Sequence, residues 1–351
     1  IGPGATDPYS QPSLGFLLAF QALPTIIFFA SLMAILYHLG IMNRIIRGFS
    51  WLFSRLMKIS GAESLSASAN IFVGIESALV IRPHLKSMTK SELTTILTTG
   101  MATVASSMLA VYILMLRDQF PTIAGHLVSA SIMNVPAAII MSKLLYPETE
   151  TPETLGLQVK PEHEKAPNLI AAVITGANHG VKLIVGIVAL LLAFLGLVAL
   201  IDKILLLLGG QINTLFNISV DWTLKGLLGY LFYPLTLALG IPSQDATVIS
   251  KIIGSRAIVT EVTAFQNLSA VLQSGIVLEP RTVVVTTYAL TGFAHVASLA
   301  IFVGGIAALE PKRLADLSRL GFRALLAATL ATLLTAAVAG LFFREGSVLF
   351  G

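Results

Sequence analysis

The sequence predicts an all-α polytopic membrane protein, a fold class indicated by its composition and by the length of its apolar runs. Of its 351 residues, 55% are hydrophobic and only 11% are charged, and the mean hydropathy is +0.86. A soluble domain of this length does not need so apolar a composition. Several runs could cross about 30 Å of hydrocarbon as helices, and they lack the alternation typical of strands.

Six apolar runs are candidate membrane spans. They lie at roughly 15–41, 94–116, 122–146, 169–201, 282–309 and 321–343. The absence of cysteine excludes disulfides, thiolate metal sites and a cysteine nucleophile. The net charge of +4 comes mostly from loop lysines and arginines, a distribution that favours membrane topology over nucleic-acid binding, so we expect no nucleic-acid partner.

The basic residues predict the orientation of the chain in a cell (inner) membrane. Residues 42–58 carry Arg44, Arg47, Arg55 and Lys58 between apolar residues at helical spacing, which predicts an amphipathic helix on the cytoplasmic surface. The Pro- and Glu-rich segment 147–167 is a linker, and three crossings before it place it on the same side.

One motif occurs twice. The stretch "TGMATVASS" at 99–107 and the stretch "TGFAHVASL" at 291–299 share six residues in register. An odd number of crossings before the linker reverses the direction of the second half, so the two halves are predicted to be inverted repeats, as in many secondary transporters. The Gly, Ser and Thr residues of each motif predict two discontinuous transmembrane helices.

A second shared feature precedes each motif. The apolar stretch 67–81 is too short to cross the bilayer and lies between basic segments, which predicts a re-entrant helical hairpin. Residues 243–275 predict a second one, entering from the opposite side. Asp245, three residues after Pro242, is predicted to be the N-cap of this second hairpin.

Several motifs together carry a resemblance to a known family. The runs "ALPTIIFFASLMAILYHLGIM", "AESLSASANIFVG", "SELTTILTTGMATVAS", "ATVISKIIGSRAIVTE" and "TGFAHVASLAIFVGGIAALEPKR" resemble the concentrative nucleoside transporters, which are sodium- or proton-coupled nucleoside symporters. The resemblance covers about residues 15–343. It implies a homotrimer in the lipid bilayer, each protomer moving one nucleoside with an ion. Two leading helices of the family have no match here, so we expect the chain as given to lack its true N-terminus.

The resemblance also implies a site for a coupling sodium ion and no organic cofactor. The matching positions are Asn70 and Val73 in the first hairpin, and Thr103 and Val104 in the following helix. Side-chain and carbonyl oxygens are hard ligands, which suit a hard cation.

The substrate positions that the resemblance implies come from both halves: Gly74, Ile75, Glu76, Met108, Glu261, Phe293, His295 and Ser298. Two of them depart from the family. Ile75 stands where a glutamine amide usually contacts the base, and it cannot make those hydrogen bonds. His295 stands in place of an asparagine, and its imidazole could add or replace a coupling proton.

Structural alternatives remain for these residues. Glu76 and Glu261 could form ion pairs or cap hairpin tips, His295 could make a helix-packing hydrogen bond, and Asn70 could cap a half-helix. An intramembrane enzyme and a channel or receptor-like gate are the competing classes. Ser298 and His295 are three positions apart, but no acid is spaced in the sequence to orient the imidazole.

We therefore expect a transporter and not an enzyme: sodium-coupled symport of nucleosides into the cell by alternating access. The alternatives are proton coupling, or a family member that carries a different nucleoside-like solute. The expected organisation has five parts, which are scaffold 1–60, first repeat 61–146, cytoplasmic linker 147–168, interfacial and scaffold helices 169–225, and second repeat 226–351.

Overall fold

The computed structural model of the protein describes residues 23–161 and 166–344, and all regular structure in these residues is helical. The helices of the first half are α1 (Leu23–His38), α2 (Ile41–Met57), α3 (Gly61–Ala69), a 3₁₀ helix (Ile75–His84), α4 (Lys90–Ala102), α5 (Ser106–Leu116) and α6 (Ile123–Leu145). Those of the second half are α7 (Leu169–Phe216), α8 (Leu224–Ala238), α9 (Ser243–Arg256), α10 (Glu261–Gln273), α11 (Pro280–Leu290), α12 (Val296–Leu309), a 3₁₀ turn (Pro311–Arg313) and α13 (Leu314–Phe342).

The same order of elements occurs in both halves. A leading helix is followed by a second helix, then by a pair of short helices, an interrupted helix and a final long helix. The interruptions fall within the two copies of the Thr-Gly motif, at residues 103–105 and 291–295. The predicted breaks are therefore present at the predicted places.

Five helical stretches in the described part of the chain are long and apolar enough to cross a membrane. They are Lys90–Leu116, Ile123–Leu145, Leu169–Gly186, Leu195–Phe216 and Pro311–Phe342. The pair formed by α1 and α2 also passes, but it bends by 80°, and Gly40 supplies the left-handed backbone at the bend. Residues 15–22 of the first predicted span lie outside the described residues.

Three sequence predictions need correction. The helix predicted to end near 201 continues to Phe216, because Asp202 and Lys203 end the apolar run without breaking the helix. The first short-helix pair extends beyond 67–81 at both ends, from Gly61 to His84. Asp245 is not the N-cap of α9, since Pro242 holds that position; its carboxylate instead accepts from the Thr282 hydroxyl at 2.7 Å and from the Glu279 N–H at 3.1 Å.

Matched capping boxes fix the starts of α3 and α4. Ser60 and Glu63 exchange side-chain to backbone hydrogen bonds, and Thr89 and Glu92 do the same. The Ser60 hydroxyl then donates to the Glu92 carboxylate at 2.5 Å, which joins the two helix starts. The first short-helix pair and the first broken helix are therefore held together at the end far from their breaks.

The two halves of each broken helix pack in different cores. α5 packs with α9, α10 and α11, whereas α4 packs with α3, the 3₁₀ helix and α12. The uninterrupted helices α6 and α13 contribute residues to both cores. The breaks consequently lie at the boundary between the cores.

Helices α1 and α7 pack closely against each other. Gly176 and Gly180 allow close approach, because a Cβ at either position would lie 2.7 Å from the α1 backbone, at Ser31 and Ile27. The C-terminal part of α7 is largely exposed: only 6% of the stretch Leu195–Phe216 is buried within the described structure.

Candidate functional site

A cavity of about 190 Å³ lies where the turn of the first short-helix pair, the start of α10 and both helix breaks meet. Six of the eight predicted substrate residues line it: Gly74, Ile75, Met108, Glu261, Phe293 and His295. Ser298 is buried behind the lining. The backbone of Glu76 lies in the 3₁₀ helix Ile75–His84, and its side chain lies outside the described structure.

The Glu261 carboxylate is the centre of a buried hydrogen-bond network. It lies in the first turn of α10, where the helix dipole favours a negative charge, and only 2% of the residue is exposed. The Tyr112 hydroxyl of α5 donates to one oxygen at 2.8 Å, and His295 Nε2 lies 3.0 Å from the other. Tyr112 is itself stacked on Phe265 of α10, with ring centroids 4.3 Å apart. The network fixes the carboxylate between three elements.

His295 caps α12 with its imidazole, and this fixes its tautomer. The backbone N–H of Ser298 donates to Nδ1 at 3.2 Å, and the Ser298 hydroxyl accepts from the His295 N–H at 3.1 Å. Because Nδ1 is an acceptor, the proton of the neutral ring is on Nε2 and is donated to Glu261. The imidazole is therefore both a helix cap and a donor to the carboxylate. It has a structural role and it also lines the cavity.

The fold supplies the acid that the sequence spacing did not show. Glu261 is 34 residues from His295 and orients its imidazole, so the expectation that no acid does so is wrong. The Ser298 hydroxyl, however, donates to the His295 carbonyl at 2.6 Å and not to the imidazole. Serine activation needs the hydroxyl proton on the base nitrogen, so these three residues are not a catalytic triad.

The four predicted sodium-site residues gather at one junction. Asn70 follows the last residue of α3 and is fully buried; its amide nitrogen donates to Ser66 O at 3.1 Å and lies 3.5 Å from the Thr99 hydroxyl. Its amide oxygen has no hydrogen-bond partner among the described residues. Asn70 thus caps α3, as the structural alternative predicted, and still presents a free buried acceptor.

The other members of this set lie at the cavity or beside it. Thr103 and Val104 line the cavity, and the Thr103 hydroxyl donates to Thr99 O at 2.8 Å, which leaves its lone pairs free to accept. Val73 lines an adjoining cavity of about 300 Å³ that reaches α1 and α7. No cluster of three or more His, Cys, Asp or Glu side chains suited to a metal occurs in the ranges 23–161 and 166–344, so a cation here would be bound by neutral oxygens.

Hydrogen bonds join the two breaks to each other and to the first turn. The Phe293 N–H donates to Thr103 O at 3.3 Å. Both the backbone N–H and the hydroxyl of Ser106 donate to Phe72 O, at 3.1 and 2.7 Å. The interrupted backbone is thus partly satisfied within the protein, as membrane burial requires.

Asn134 of α6 is a site-supporting residue that the sequence analysis did not identify. Its amide donates to Ala102 O at 2.8 Å and to Thr291 O at 2.5 Å, and its oxygen accepts from the Thr335 hydroxyl at 2.6 Å. It therefore bridges both broken helices and α13. Its position two residues before Pro136, in an apolar helix, was the available sequence signal.

The sequence analysis also missed three other residues at the site: Phe302 and Lys182 line the cavity, and Tyr112 holds Glu261 from behind the lining. A Cβ on Gly100 would collide with the Phe302 ring, so Gly100 is required for close contact between α4 and α12. Lys182, a charge within an apolar span, was detectable from sequence as a candidate.

An apolar cavity with a few convergent polar groups, built where two helices are broken, is the arrangement of a secondary transporter. The comparisons with known proteins agree. A family model described as "Na+ dependent nucleoside transporter C-terminus" matches residues 126–340, and one described as "Nucleoside recognition" matches residues 19–119. The chain belongs to the concentrative nucleoside transporter family, and it is a multi-pass membrane transporter and not an enzyme.

Relatives with curated descriptions span bacteria and mammals. An "Uncharacterized transporter" of Haemophilus influenzae is 39% identical over 98% of this chain and 80% of its own length. The "Sodium/nucleoside cotransporter 1" of Rattus norvegicus is 34% identical over 97% of this chain and 53% of its own length. The chain thus spans about half of that mammalian relative.

Solved structures of CNTnw superpose on the fold. Its inward-facing substrate-bound state gives a TM-score of 0.83 at 37% identity, covering 93% of this chain and 75% of that one. An outward-facing state of a CNTnw variant gives a TM-score of 0.82 with the same coverage.

Proposed function

We propose that the protein imports nucleosides by sodium-coupled symport, binding the substrate in the cavity between the helix breaks. The observation that carries this proposal is the free amide oxygen of Asn70, a fully buried residue whose side chain lies beside Thr99 in the last turn before the first break. A buried acceptor without a donor is costly, and a bound cation would satisfy it. One relative is described as a sodium/nucleoside cotransporter, which supports the same coupling ion.

In this proposal sodium is a co-substrate bound by Asn70, Val73, Thr103 and Val104. The Asn70 and Thr103 side chains and the carbonyls at the first break supply hard oxygen ligands. The C-terminal end of the half-helix α4 adds a partial negative charge. Sodium would hold the first turn against the break and so favour the substrate-loaded state, to the extent that it binds that state better.

The nucleoside is held by both halves of the protein in this scheme. Glu261, oriented by Tyr112 and His295, accepts hydrogen bonds from ribose hydroxyls, and the half-buried Phe293 ring offers an apolar face. Gly74, Ile75, Glu76 and Met108 contact the base side, and Ser298 acts by holding His295. We further propose that the short-helix pairs are re-entrant hairpins of inverted repeats.

The exposed apolar face of α7 supports the assembly proposed here, a homotrimer in the cell (inner) membrane, because such a face needs lipid or another subunit against it.

Ile75 favours a second candidate for the substrate: a nucleoside-like solute whose base does not hydrogen-bond to a side-chain amide. The Nδ1 cap on His295 argues against proton coupling through its imidazole, because protonation of Nδ1 would remove the acceptor for Ser298.

Uptake by protein reconstituted in liposomes tests the proposal. We expect labelled uridine or adenosine to accumulate under an inward sodium gradient, and not under a proton gradient alone. Asn70→Ala should raise the sodium concentration for half-maximal uptake. Asn43→Ala is the matched control and should not, because it removes another buried amide oxygen without a hydrogen-bond partner in the described structure, but on α2 and outside the proposed sodium site. Uptake driven only by protons would reject the sodium site, and sodium-driven uptake of another solute alone would establish the second candidate.

A further inference from the structure

Arg256 is a buried charge without a carboxylate partner. It is the last residue of α9, and only 1% of it is exposed. No carboxylate lies within 4.0 Å of its guanidinium in the described ranges 23–161 and 166–344, and its Nε has no acceptor there. The Glu261 carboxylate attracts the guanidinium only from a longer distance, and burying a charge without a contacting counter-charge is expensive, so the groups in contact with it must contribute to its stabilisation.

Its partners are neutral oxygens at the end of a half-helix. One guanidinium nitrogen donates to Ala289 O at 2.6 Å and another to the Thr332 hydroxyl at 2.9 Å. Ala289 is the second-to-last residue of α11, whose final carbonyls are left unpaired by the break. A cation at the C-terminal end of a helix is favoured by the helix dipole.

The corresponding place in the first half is the proposed sodium site. Asn70 directly follows the last residue of α3, as Arg256 closes α9, and its amide contacts Thr99 in the last turn of the half-helix α4. Each residue thus joins the end of a first short helix to the end of the first half of a broken helix.

The two places differ in their charge. Residues 61–75 contain no Lys, Arg or His, and the Asn70 oxygen lacks a donor. In the second half the guanidinium supplies both the positive charge and the donors. The first junction therefore has a surplus acceptor where the second has a surplus donor.

We propose that Arg256 is a built-in cation that occupies, in the second half, the position that sodium takes in the first. The inference rests on the proposed sodium site. It extends that proposal: both half-helix ends need a positive charge beside the cavity. The charge of Arg256 is permanent, whereas the sodium ion exchanges with the solution. The second junction then needs no ion from solution, and one sodium ion accompanies each substrate.

Chemical rescue tests the built-in cation without relying on transport. We expect purified Arg256→Ala protein to melt at a lower temperature than wild type and to regain stability with millimolar guanidinium, which fits the vacated space. Arg256→Lys should keep most of the stability, because it retains the charge. Arg281→Ala is the matched control, since Arg281 also donates to backbone carbonyls, of Gly340 and Leu239, but lies away from both breaks. Guanidinium that stabilises both alanine variants equally, or neither, overturns the proposal.

Sodium dependence supplies the second readout. In wild type the sodium activation of uptake should have a Hill coefficient of about 1, and in Arg256→Asn, which places an amide where Asn70 has one, it should rise towards about 2. An unchanged Hill coefficient in an active Arg256→Asn protein overturns the proposal. If wild-type uptake shows no sodium dependence, the proposed function fails, while guanidinium rescue still decides whether Arg256 acts as a cation. If Arg256→Asn protein is too unstable for uptake assays, its melting temperature is measured with added guanidinium or sodium instead. A melting temperature that neither cation raises overturns the proposal.

Discussion

The Nε2–H of His295 donates to the carboxylate of Glu261 across 3.0 Å, and both side chains are almost fully buried. The bond joins the break of the second interrupted helix to the start of α10. It depends on the Nδ1 cap, because the cap places the ring proton on Nε2. Helix capping and the orientation of the carboxylate are thus a single arrangement.

Glu261→Gln should abolish this arrangement and most of the uptake. Hydrogen bonds to a charged group contribute about 1.5–3 kcal/mol, so we expect uptake to fall by about tenfold to a hundredfold. The same substitution at Glu279, an exposed carboxylate before α11, is the control and should leave uptake unchanged. Near wild-type uptake by Glu261→Gln would remove Glu261 from the substrate site.

His295→Asn should preserve the cap of α12, whereas His295→Ala should not. Asparagine is a good N-cap, and loss of a cap costs about 1 kcal/mol of unfolding free energy. Thermal unfolding in detergent should therefore rank wild type and His295→Asn above His295→Ala. Equal melting temperatures for His295→Asn and His295→Ala would contradict the role of the imidazole as a helix cap.

Gly100→Ala should disrupt the close contact between α4 and α12. The added methyl group would overlap the ring of Phe302, which lines the cavity, so we expect impaired uptake in a protein that still folds. Phe302→Leu should restore uptake in the double variant by making room. Gly304→Ala is the matched control, because Gly304 lies on α12, as Phe302 does, but has open space where the methyl group would be added. A double variant as impaired as Gly100→Ala would show that the glycine matters for another reason.

Asn134→Ala should destabilise the protein more than loss of any one of its contacts. The substitution removes the side-chain donor from two buried carbonyls, each at a cost of about 1–3 kcal/mol before relaxation. It also removes one acceptor of the Thr335 hydroxyl, which can still donate to Thr332 O. Thr335→Val removes only one of these bonds and should have a smaller effect on the melting temperature. Equal effects of the two substitutions would contradict the role of Asn134 as a bridge between the breaks.

Much of the fold could be predicted because its signals are local. The Thr-Gly motif identified both breaks, and hydropathy identified most of the spans, since both depend on adjacent residues. The true start of α3 was marked by the capping box of Ser60 and Glu63, which the apolar stretch alone does not reveal. Hydropathy also missed the end of α7, because a helix continues through charges that an apolar run does not include.

The contacts within the site could not be predicted from spacing. Tyr112 and Glu261 are 149 residues apart, and Asn134 and Thr291 are 157 apart, so only the folded chain brings them together. Arg256 is visible in the sequence as a basic residue, but its role depends on the carbonyls of another helix. The family resemblance supplied most of the predicted residues that line the cavity. Of the residues that hold them, it supplied Ser298 but not Tyr112 or Asn134.

The uninterrupted helices α6 and α13 run through both cores and contribute no side chain to the cavity wall. Asn134 of α6 nevertheless holds the ends of both broken helices, and Thr335 of α13 donates to Asn134. The width of the cavity is therefore set in part by a frame that does not line it. Substrate range could accordingly change through substitutions on these two helices, with every contacting residue left in place.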